Sequence, residues 1–351
     1  MKTDFLIGCN GRGAQASSME NPVSLDEVSI DEQFRLVKET GVFDYFDRIP
    51  LRDSYDEYKS AVEKYNLPIH TASWFYRLGD EDDEKLISDN LKIASEIGAD
   101  MHNMMIFTHH AKGHIVTDQE LIDCYLRTYD EGMALGVEPL FELHVNMWSE
   151  DFRRVTPIAQ AIQNKGIPFS YCLDYSHVNF KINNPEEQEV LDIRGDVEAG
   201  NLILDPFEKG NLCDEWLELG IVRWLQVRPA VPNGPKNIWS KAEPGKPVAG
   251  MPELKEGDDP VVGRGIMYPF TKPEPGEWHS PWFAYLLEPT KEVVRKVLDY
   301  HKNDPDKRLK YITTEMINLP DYGHNAKYSL IGQNAAVAQF VRDTWDDLNK
   351  P

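Results

Sequence analysis

The chain has 351 residues, of which 41% are hydrophobic, which suits one barrel of roughly 250 residues with insertions better than two smaller domains. Its formal net charge of -22 predicts a surface that repels phosphate backbones, so we expect no nucleic-acid partner. No apolar run reaches the ~18–20 residues of a membrane-spanning helix, and the N-terminus lacks signal-peptide features, so we expect a cytoplasmic protein without a membrane partner.

Eight segments rich in apolar and β-branched residues predict strands, and stretches with apolar residues at helical spacing lie between them. The strands are expected at 4–10, 42–49, 68–75, 101–107, 138–144, 169–175, 222–228 and 310–316. Helices are expected at 29–40, 54–65, 83–97, 118–134 and 150–164. Glycines such as Gly41 and Gly98 follow these helical stretches, where they end helices. The alternation predicts a parallel α/β fold.

A (β/α)8 TIM barrel is preferred to a doubly wound sheet. The number of units is eight, and the candidate functional residues follow strands five to eight. The first strand is followed by GCNGRGAQ, which lacks the GxGxxG spacing of a dinucleotide-binding turn. We therefore predict one barrel domain over residues 1–351.

Residues 229–290 break the alternation between the seventh and eighth strands. This segment is rich in Pro and Gly and contains Trp239, Trp278 and Trp282. Connections longer than about 15 residues are usually lids, binding loops or interaction surfaces. We expect the segment to form one wall of the active site and part of a subunit interface.

Four residues whose side-chain oxygens could bind a metal lie near the predicted ends of strands five to eight: Glu142, Asp174, Gln226 and Glu315. Strand ends converge at one mouth of a barrel. Three buried carboxylates need either paired arginines or a metal ion, and we favour the metal. An all-oxygen set predicts Mn²⁺ first, with Mg²⁺ or Co²⁺ as alternatives, rather than Zn²⁺. Gln226 is a ligand or a hydrogen-bond partner of the ligands.

Other polar side chains lie beside these ligands. His144 shares a strand face with Glu142, which makes it a candidate general base or a group that orients Glu142. Arg228, two residues after Gln226, is the cation that could neutralise a substrate oxyanion.

The end of the third strand and the loop after the fourth carry further candidates. His70 and Trp74 share a predicted face and are candidate substrate contacts, where Trp74 either stacks on a sugar ring or packs in the core. The histidines at 109, 110 and 114 are spaced like a zinc motif, but they stand in a polar loop without a nearby Cys, and we predict no metal site there.

The E-x-H sequence at Glu142, the D-x-x-H sequence at Asp174 and the terminal Glu315 resemble the xylose isomerase-like superfamily of sugar phosphate isomerases and epimerases. The resemblance covers about residues 3–345, apart from the long segment. It implies that a divalent metal, often manganese, binds the carbonyl and hydroxyl oxygens of a sugar and polarises it for proton removal. It also implies metal ligands at these three carboxylates and substrate contacts at His177 and Arg228.

Two departures point to one branch of this superfamily. Gln226 stands where the ketose epimerases have His. Those enzymes also use a pair of metal-bound Glu residues as acid and base, whereas in this chain His144 is the more exposed candidate. With the long segment, these look more like the α-subunit of bacterial C-glycoside deglycosidases. That likeness implies a lyase that cleaves the sugar–aglycone carbon–carbon bond of 3-oxo-C-glycosides, with a small β-subunit, a homo-oligomer or both. The alternatives are a metal-dependent keto-sugar isomerase or epimerase and a non-catalytic sugar-binding barrel.

Overall fold

The strands form a closed barrel in chain order, which confirms the predicted (β/α)8 fold. The computed structural model describes residues 3–240, 264 and 267–350. All strand pairs are parallel, and β8 closes the barrel onto β1. The strands are β1 (Leu6–Asn10), β2 (Tyr45–Asp47), β3 (Ile69–Tyr76), β4 (Met101–Ile106), β5 (Glu138–Glu142), β6 (Tyr171–Asp174), β7 (Val222–Val227) and β8 (Tyr311–Thr314).

Helices surround the barrel and pack their apolar sides on the strands. Gly41 and Gly98 end α1 and α3 in the left-handed conformation, as their positions in the sequence predict. No helix among the described residues is long and apolar enough to cross a bilayer. The helices are α1 (Ile30–Thr40), α2 (Tyr55–Tyr65), α3 (Glu81–Ile97), α4 (Asp118–Ala134), α5 (Val155–Gln163), α6 (Ser176–Asn179), α7 (Pro185–Glu189), α8 (Arg194–Glu198), α9 (Leu212–Glu218), α10 (Glu288–Asn303) and α11 (Leu330–Leu348).

The inside of the barrel is built in two layers. An apolar layer fills the N-terminal half: Tyr45, Met101, Leu140, Cys172, Trp224 and Tyr311. Side chains two residues apart on a strand point the same way, so the residues two positions later form a polar layer above it: Asp47, Asn103, Glu142, Asp174, Gln226 and Thr313. The alternation of the strands therefore places the carboxylates at the C-terminal mouth, on an apolar floor.

The connection from β7 to α10 departs from the regular pattern, as predicted. Of the predicted 229–290 segment, residues 229–240, 264 and 267–290 are described. Trp278 is buried, and Trp239 and Trp282 are partly buried against the core. Arg264 forms an ion pair with Glu187 at 2.9 Å. The described parts therefore pack on the barrel, while a role in a subunit interface stays a prediction.

Candidate active site at the barrel mouth

The structure brings together the four residues predicted as metal ligands. Glu142 and Asp174 are the last residues of β5 and β6, and Glu315 directly follows β8. One carboxylate oxygen from each of these three lies within 4.8 Å of the others. Gln226 lies between them on β7, and its Nε2 is 3.4 Å from Glu315 Oε1.

The surroundings shift the pKa values of the three carboxyl groups in different directions. Burial, and then the neighbouring carboxylates, raise the pKa of Glu142 and of Glu315 well above the usual range. Burial alone would also raise the pKa of Asp174, but Arg228 and His177 outweigh it and hold that pKa well below its usual range. Two of the three groups therefore favour protonation unless a further cation lies among them.

Two buried oxygen atoms test whether this set of donors fits a metal. Glu142 Oε1 and Gln226 Oε1 have no hydrogen-bond partner among the residues that the structure describes. The other oxygen of Glu142 accepts a hydrogen bond from Asn103 Nδ2. Buried oxygens without a partner are costly, and a cation satisfies them. Carboxylate and amide oxygens are the ligands that Mn²⁺ and Mg²⁺ prefer, so the residues fit the predicted ion.

Arg228 and His177 lie directly beside Asp174. Nη2 of Arg228 donates to Asp174 Oδ2 at 2.9 Å and lies 2.8 Å from His177 Nε2, and His177 Nε2 lies 3.2 Å from the same Asp174 oxygen. Burial lowers the pKa of His177 to about 4, so the ring is neutral at pH 7. Neither residue lines the cavity at the mouth, and a direct contact of either with a substrate stays a prediction.

A cavity of about 130 Å³ opens beside the carboxylates. Its walls come from the ends of β1 to β4 and from the loops after β5 and β8. They include Trp74, His144 and Glu315, which the sequence predicted as site residues, together with Asp47 and Tyr322. The cavity thus joins an aromatic surface, an imidazole and two carboxyl groups in one space.

His144 lies two residues beyond the end of β5 and faces this cavity. Its Nδ1 is 2.6 Å from the carbonyl oxygen of Val145. A carbonyl only accepts, so Nδ1 carries the hydrogen and Nε2 keeps its lone pair. Nε2 is 3.5 Å from the hydroxyl of Tyr322. Burial, and then His177, lower the pKa of His144 well below its usual value, so the ring is neutral at pH 7.

His70 does not lie on the strand face that the sequence predicts for it. Phe46 pairs with Ile69 and Asp47 pairs with Thr71, which leaves His70 as the extra residue of a β-bulge. A bulge breaks the alternation of side chains, so His70 and Trp74 do not share a face. The His70 ring stacks on Tyr311 at the apolar floor, with 5.5 Å between ring centroids. The predicted shared face of His70 and Trp74 is therefore wrong; His70 does not line the cavity, and its contact with a substrate stays a prediction.

Several polar residues of the mouth were not singled out from the sequence. Asn10 donates to Glu315 Oε1 at 3.2 Å, and Thr71 donates to Asp47 Oδ1 at 2.7 Å. Asn10, Asp47 and Asn103 are polar residues in or at the end of apolar strands, which is the signal that revealed Glu142. Tyr322 lies in the loop after β8, where no periodic pattern points to it.

A second cluster lies in the loop after β4. His110, His114 and Glu120 bring one potential ligand atom each within 4.8 Å of one another. The backbone N–H of Lys112 donates to His110 Nδ1 at 3.1 Å, so Nε2 of the neutral ring carries the hydrogen. Glu120 closes a capping box with Thr117 and accepts from His114 Nε2 at 3.0 Å. These bonds account for the cluster without an ion.

Solved structures that include a sugar epimerase share this barrel. D-allulose 3-epimerase from Methylomonas sp., in complex with D-allulose, is similar with a TM-score of 0.54 at 10% identity, over 97% of this chain and 97% of that chain. A xylose isomerase-like TIM barrel protein from Mycobacterium smegmatis, in complex with magnesium, has a TM-score of 0.52 at 10% identity, over 98% and 100% of the two chains.

A third similar structure belongs to another reaction class. The probable 3-DHS dehydratase AsbF from Bacillus anthracis has a TM-score of 0.53 at 10% identity, over 95% of this chain and 98% of that chain. No protein-family model matches the chain, and no curated protein matches it. At 10% identity the likeness establishes a shared TIM-barrel fold and nothing finer about this chain.

Proposed function

We propose that this protein is a metal-dependent enzyme that removes a proton from the carbon beside the carbonyl group of a keto-sugar, and that it acts as an epimerase or isomerase. One observation carries the proposal: oxygens of Glu142, Asp174 and Glu315 lie within 4.8 Å of one another beside a cavity that His144 lines. Similar barrels include epimerases solved with D-allulose and D-tagatose.

Glu142, Asp174, Gln226 and Glu315 would hold the metal, with Mn²⁺ as first choice and Mg²⁺ or Co²⁺ as alternatives. A divalent cation at this place polarises a carbonyl group and stabilises negative charge on its oxygen. The partnerless oxygens of Glu142 and Gln226 support the assignment. The magnesium complex of the mycobacterial barrel agrees with it.

His144 is the proposed proton acceptor. Its Nε2 carries the lone pair of the ring because Nδ1 donates to the carbonyl of Val145, and the hydroxyl of Tyr322 lies 3.5 Å from that Nε2. The C–H bond breaks, its electrons form the enediolate, and the proton moves to Nε2. Glu315 lines the same cavity and, in the state in which its carboxyl group carries a proton, is the second group able to deliver one. Return to the same carbon from the other face gives an epimer, and return to the neighbouring carbon gives an isomer.

Trp74 is the proposed platform for the sugar. It lines the cavity and is only partly buried, so its ring presents an apolar surface to a ligand. The C–H side of a sugar ring can stack on it while the hydroxyl groups point to the polar wall. His177 and Arg228 both contact Asp174, and a direct contact of either with the substrate stays a prediction.

A lyase that acts on 3-oxo-C-glycosides is the second candidate, with a small β-subunit as its partner. The Tyr322 hydroxyl, 3.5 Å from His144 Nε2, favours it, because elimination needs a donor for the leaving group. The ketone at C3 acidifies C2–H, the enolate expels the C1 substituent, and the aglycone carbon takes up the proton. The similar barrel of a probable dehydratase also supports an elimination.

Proton exchange in D₂O tests the proposal independently of the final product. Manganese-loaded protein is incubated with D-fructose, D-allulose, D-tagatose or an aryl 3-oxo-C-glucoside, and NMR follows deuterium uptake. Chelated protein is the control. Deuterium uptake with a new ketose supports an epimerase, deuterium uptake with a new aldose supports an isomerase, and release of the aglycone supports the lyase. Absence of both exchange and release with every compound contradicts the proposed function.

A further inference from the structure

The wall of the cavity opposite the proposed general base carries a buried carboxyl group that the metal site does not use. Asp47 is the last residue of β2, and only 2% of it is exposed. Thr71 Oγ1 donates to Oδ1 at 2.7 Å. Among the described residues no donor reaches Oδ2. The group lines the cavity, so this oxygen is available to a ligand that enters it.

No ion pair among the described residues compensates the burial of the Asp47 carboxyl group. Arg12 and Arg48 line the same cavity, but both bind Glu27, at 3.3 Å and 2.8 Å. Burial raises the pKa of Asp47 to about 7. A buried carboxyl oxygen without a donor costs free energy. The bond to Thr71 satisfies one oxygen only, so a purely structural role leaves the other unexplained.

The position of Asp47 relative to the metal ligands follows from the barrel. Asp47 pairs with Asn10 across β1 and β2, and Asn10 Nδ2 donates to Glu315 Oε1 at 3.2 Å. Neighbouring strands are about 4.8 Å apart, so the backbones of Asp47 and Glu315 are separated by roughly 10 Å. Both side chains reach into the cavity between them, which leaves a gap that several bonded carbon atoms can bridge.

We propose that Asp47 forms a second subsite, which accepts a hydrogen bond from a hydroxyl group of a polyhydroxylated substrate, several carbons from the carbonyl group. The inference rests on the proposed function, because the carbonyl end is placed at the carboxylates of Glu142, Asp174 and Glu315. Because Thr71 holds Oδ1 of Asp47, Oδ2 has a fixed position and accepts a hydrogen bond only from a hydroxyl group at one place in the cavity. The subsite therefore selects among sugars by the presence and stereochemistry of a remote hydroxyl group.

Deoxy sugars identify that hydroxyl group. Calorimetry measures the dissociation constants of D-fructose and its 4-, 5- and 6-deoxy analogues with the manganese-loaded protein. At pH 8, above the pKa of Asp47 of about 7, a hydrogen bond to the ionised carboxylate supports a loss of about 10- to 100-fold for one analogue. Asp47→Ala should bind that analogue and D-fructose equally. Asp304→Asn is the matched control, since Asp304 is buried beside Arg308 away from the cavity, and it should keep the discrimination.

Asp47→Asn keeps the shape of the side chain and replaces the alanine variant if that variant unfolds; it should discriminate less than the natural protein. Equal binding of D-fructose and all three analogues by the natural protein overturns the inference. Full discrimination by the Asp47 variants overturns it as well. In both cases deuterium exchange with ketoses would continue, so the proposed function would survive. Failure of every ketose to bind the manganese-loaded protein overturns both.

Discussion

Arg228 and Asp174 form a buried ion pair at the mouth of the barrel, with 2.9 Å between Nη2 and Oδ2. Asp174 stays ionised because of this contact and its contact with His177. Its negative charge is thereby fixed before any metal arrives. Arg228 holds Oδ2 of this carboxylate and Ser176 donates to Oδ1, so the orientation of Asp174 beside Glu142 and Glu315 is fixed.

Replacement of Arg228 by Met should destabilise the metal-free protein by about 3–5 kcal/mol, because a buried carboxylate loses its partner. Manganese should recover part of this loss, since it compensates the same charge. Urea unfolding with chelator and with manganese measures both values. Arg342→Met, which removes an ion pair with Asp44 that is partly exposed, is the control and should cost about 1 kcal/mol or less. An Arg228→Met protein as stable as the natural one would contradict the assigned role.

Metal content should depend on the carboxylates at the mouth. We expect about one divalent ion per chain, and Glu315→Gln and Asp174→Asn should each reduce occupancy, because they remove a charged ligand. Glu138→Gln is a matched control, since Glu138 lies at the other end of β5 and pairs with Arg223. Elemental analysis after dialysis gives the result. Full activity of the chelated protein would remove the metal from the mechanism.

Loss of the imidazole should slow the reaction without loss of the metal. His144→Ala removes the proposed acceptor, so the exchange rate in D₂O should fall about 10²- to 10⁴-fold. Manganese content should be unchanged, because His144 stands beyond the ligand Glu142. His114→Ala, on the exposed loop after β4, is the control and should leave the rate unchanged. Simultaneous loss of manganese would instead make His144 a ligand or a support of Glu142.

Stability of the metal-free protein should fall as pH rises. The pKa values of Glu142 and Glu315 are raised on folding, so above pH ~4.5 the folded state binds more protons than the unfolded state. The contribution of these two groups to the free energy of unfolding therefore falls as the pH rises toward neutral. Manganese replaces those protons. The difference in Tm between manganese-loaded and chelated protein should therefore grow from pH 5 to pH 8. Glu142→Gln with Glu315→Gln should flatten the trend, and a pH-independent difference in the natural protein would contradict it.

The barrel and the carboxylate cluster at its mouth were predictable because both depend on local patterns. Apolar strands and helix-ending glycines marked the units, and Glu142, Asp174 and Gln226 stood out as polar residues near strand ends. The register in which two strands pair cannot be recognised from a single sequence in this way. The bulge at His70 is visible only from the pairing of β2 with β3, and it reversed the predicted face of that residue.

Asp44 and Asp47 show the same limit within one segment. Both belong to the predicted second strand, three residues apart, and therefore point to opposite sides of the sheet. Asp44 binds Arg342 at 2.9 Å, whereas Asp47 faces the cavity. The residue types are identical, and only the tertiary arrangement separates a surface ion pair from a candidate subsite.

The apolar layer below the carboxylates also decides how the site communicates with solvent. The rings of Tyr45, Trp224 and Tyr311 and the side chains of Met101 and Leu140 are buried along the barrel axis, so within the described part of the chain they fill the barrel from its N-terminal end. We therefore expect the proposed sugar and metal to exchange with solvent through the loop side. Substitutions in the loops after β1, β2 and β8 should therefore control residence times in the cavity, whereas substitutions at the floor should change folding stability and leave ligand exchange unaltered.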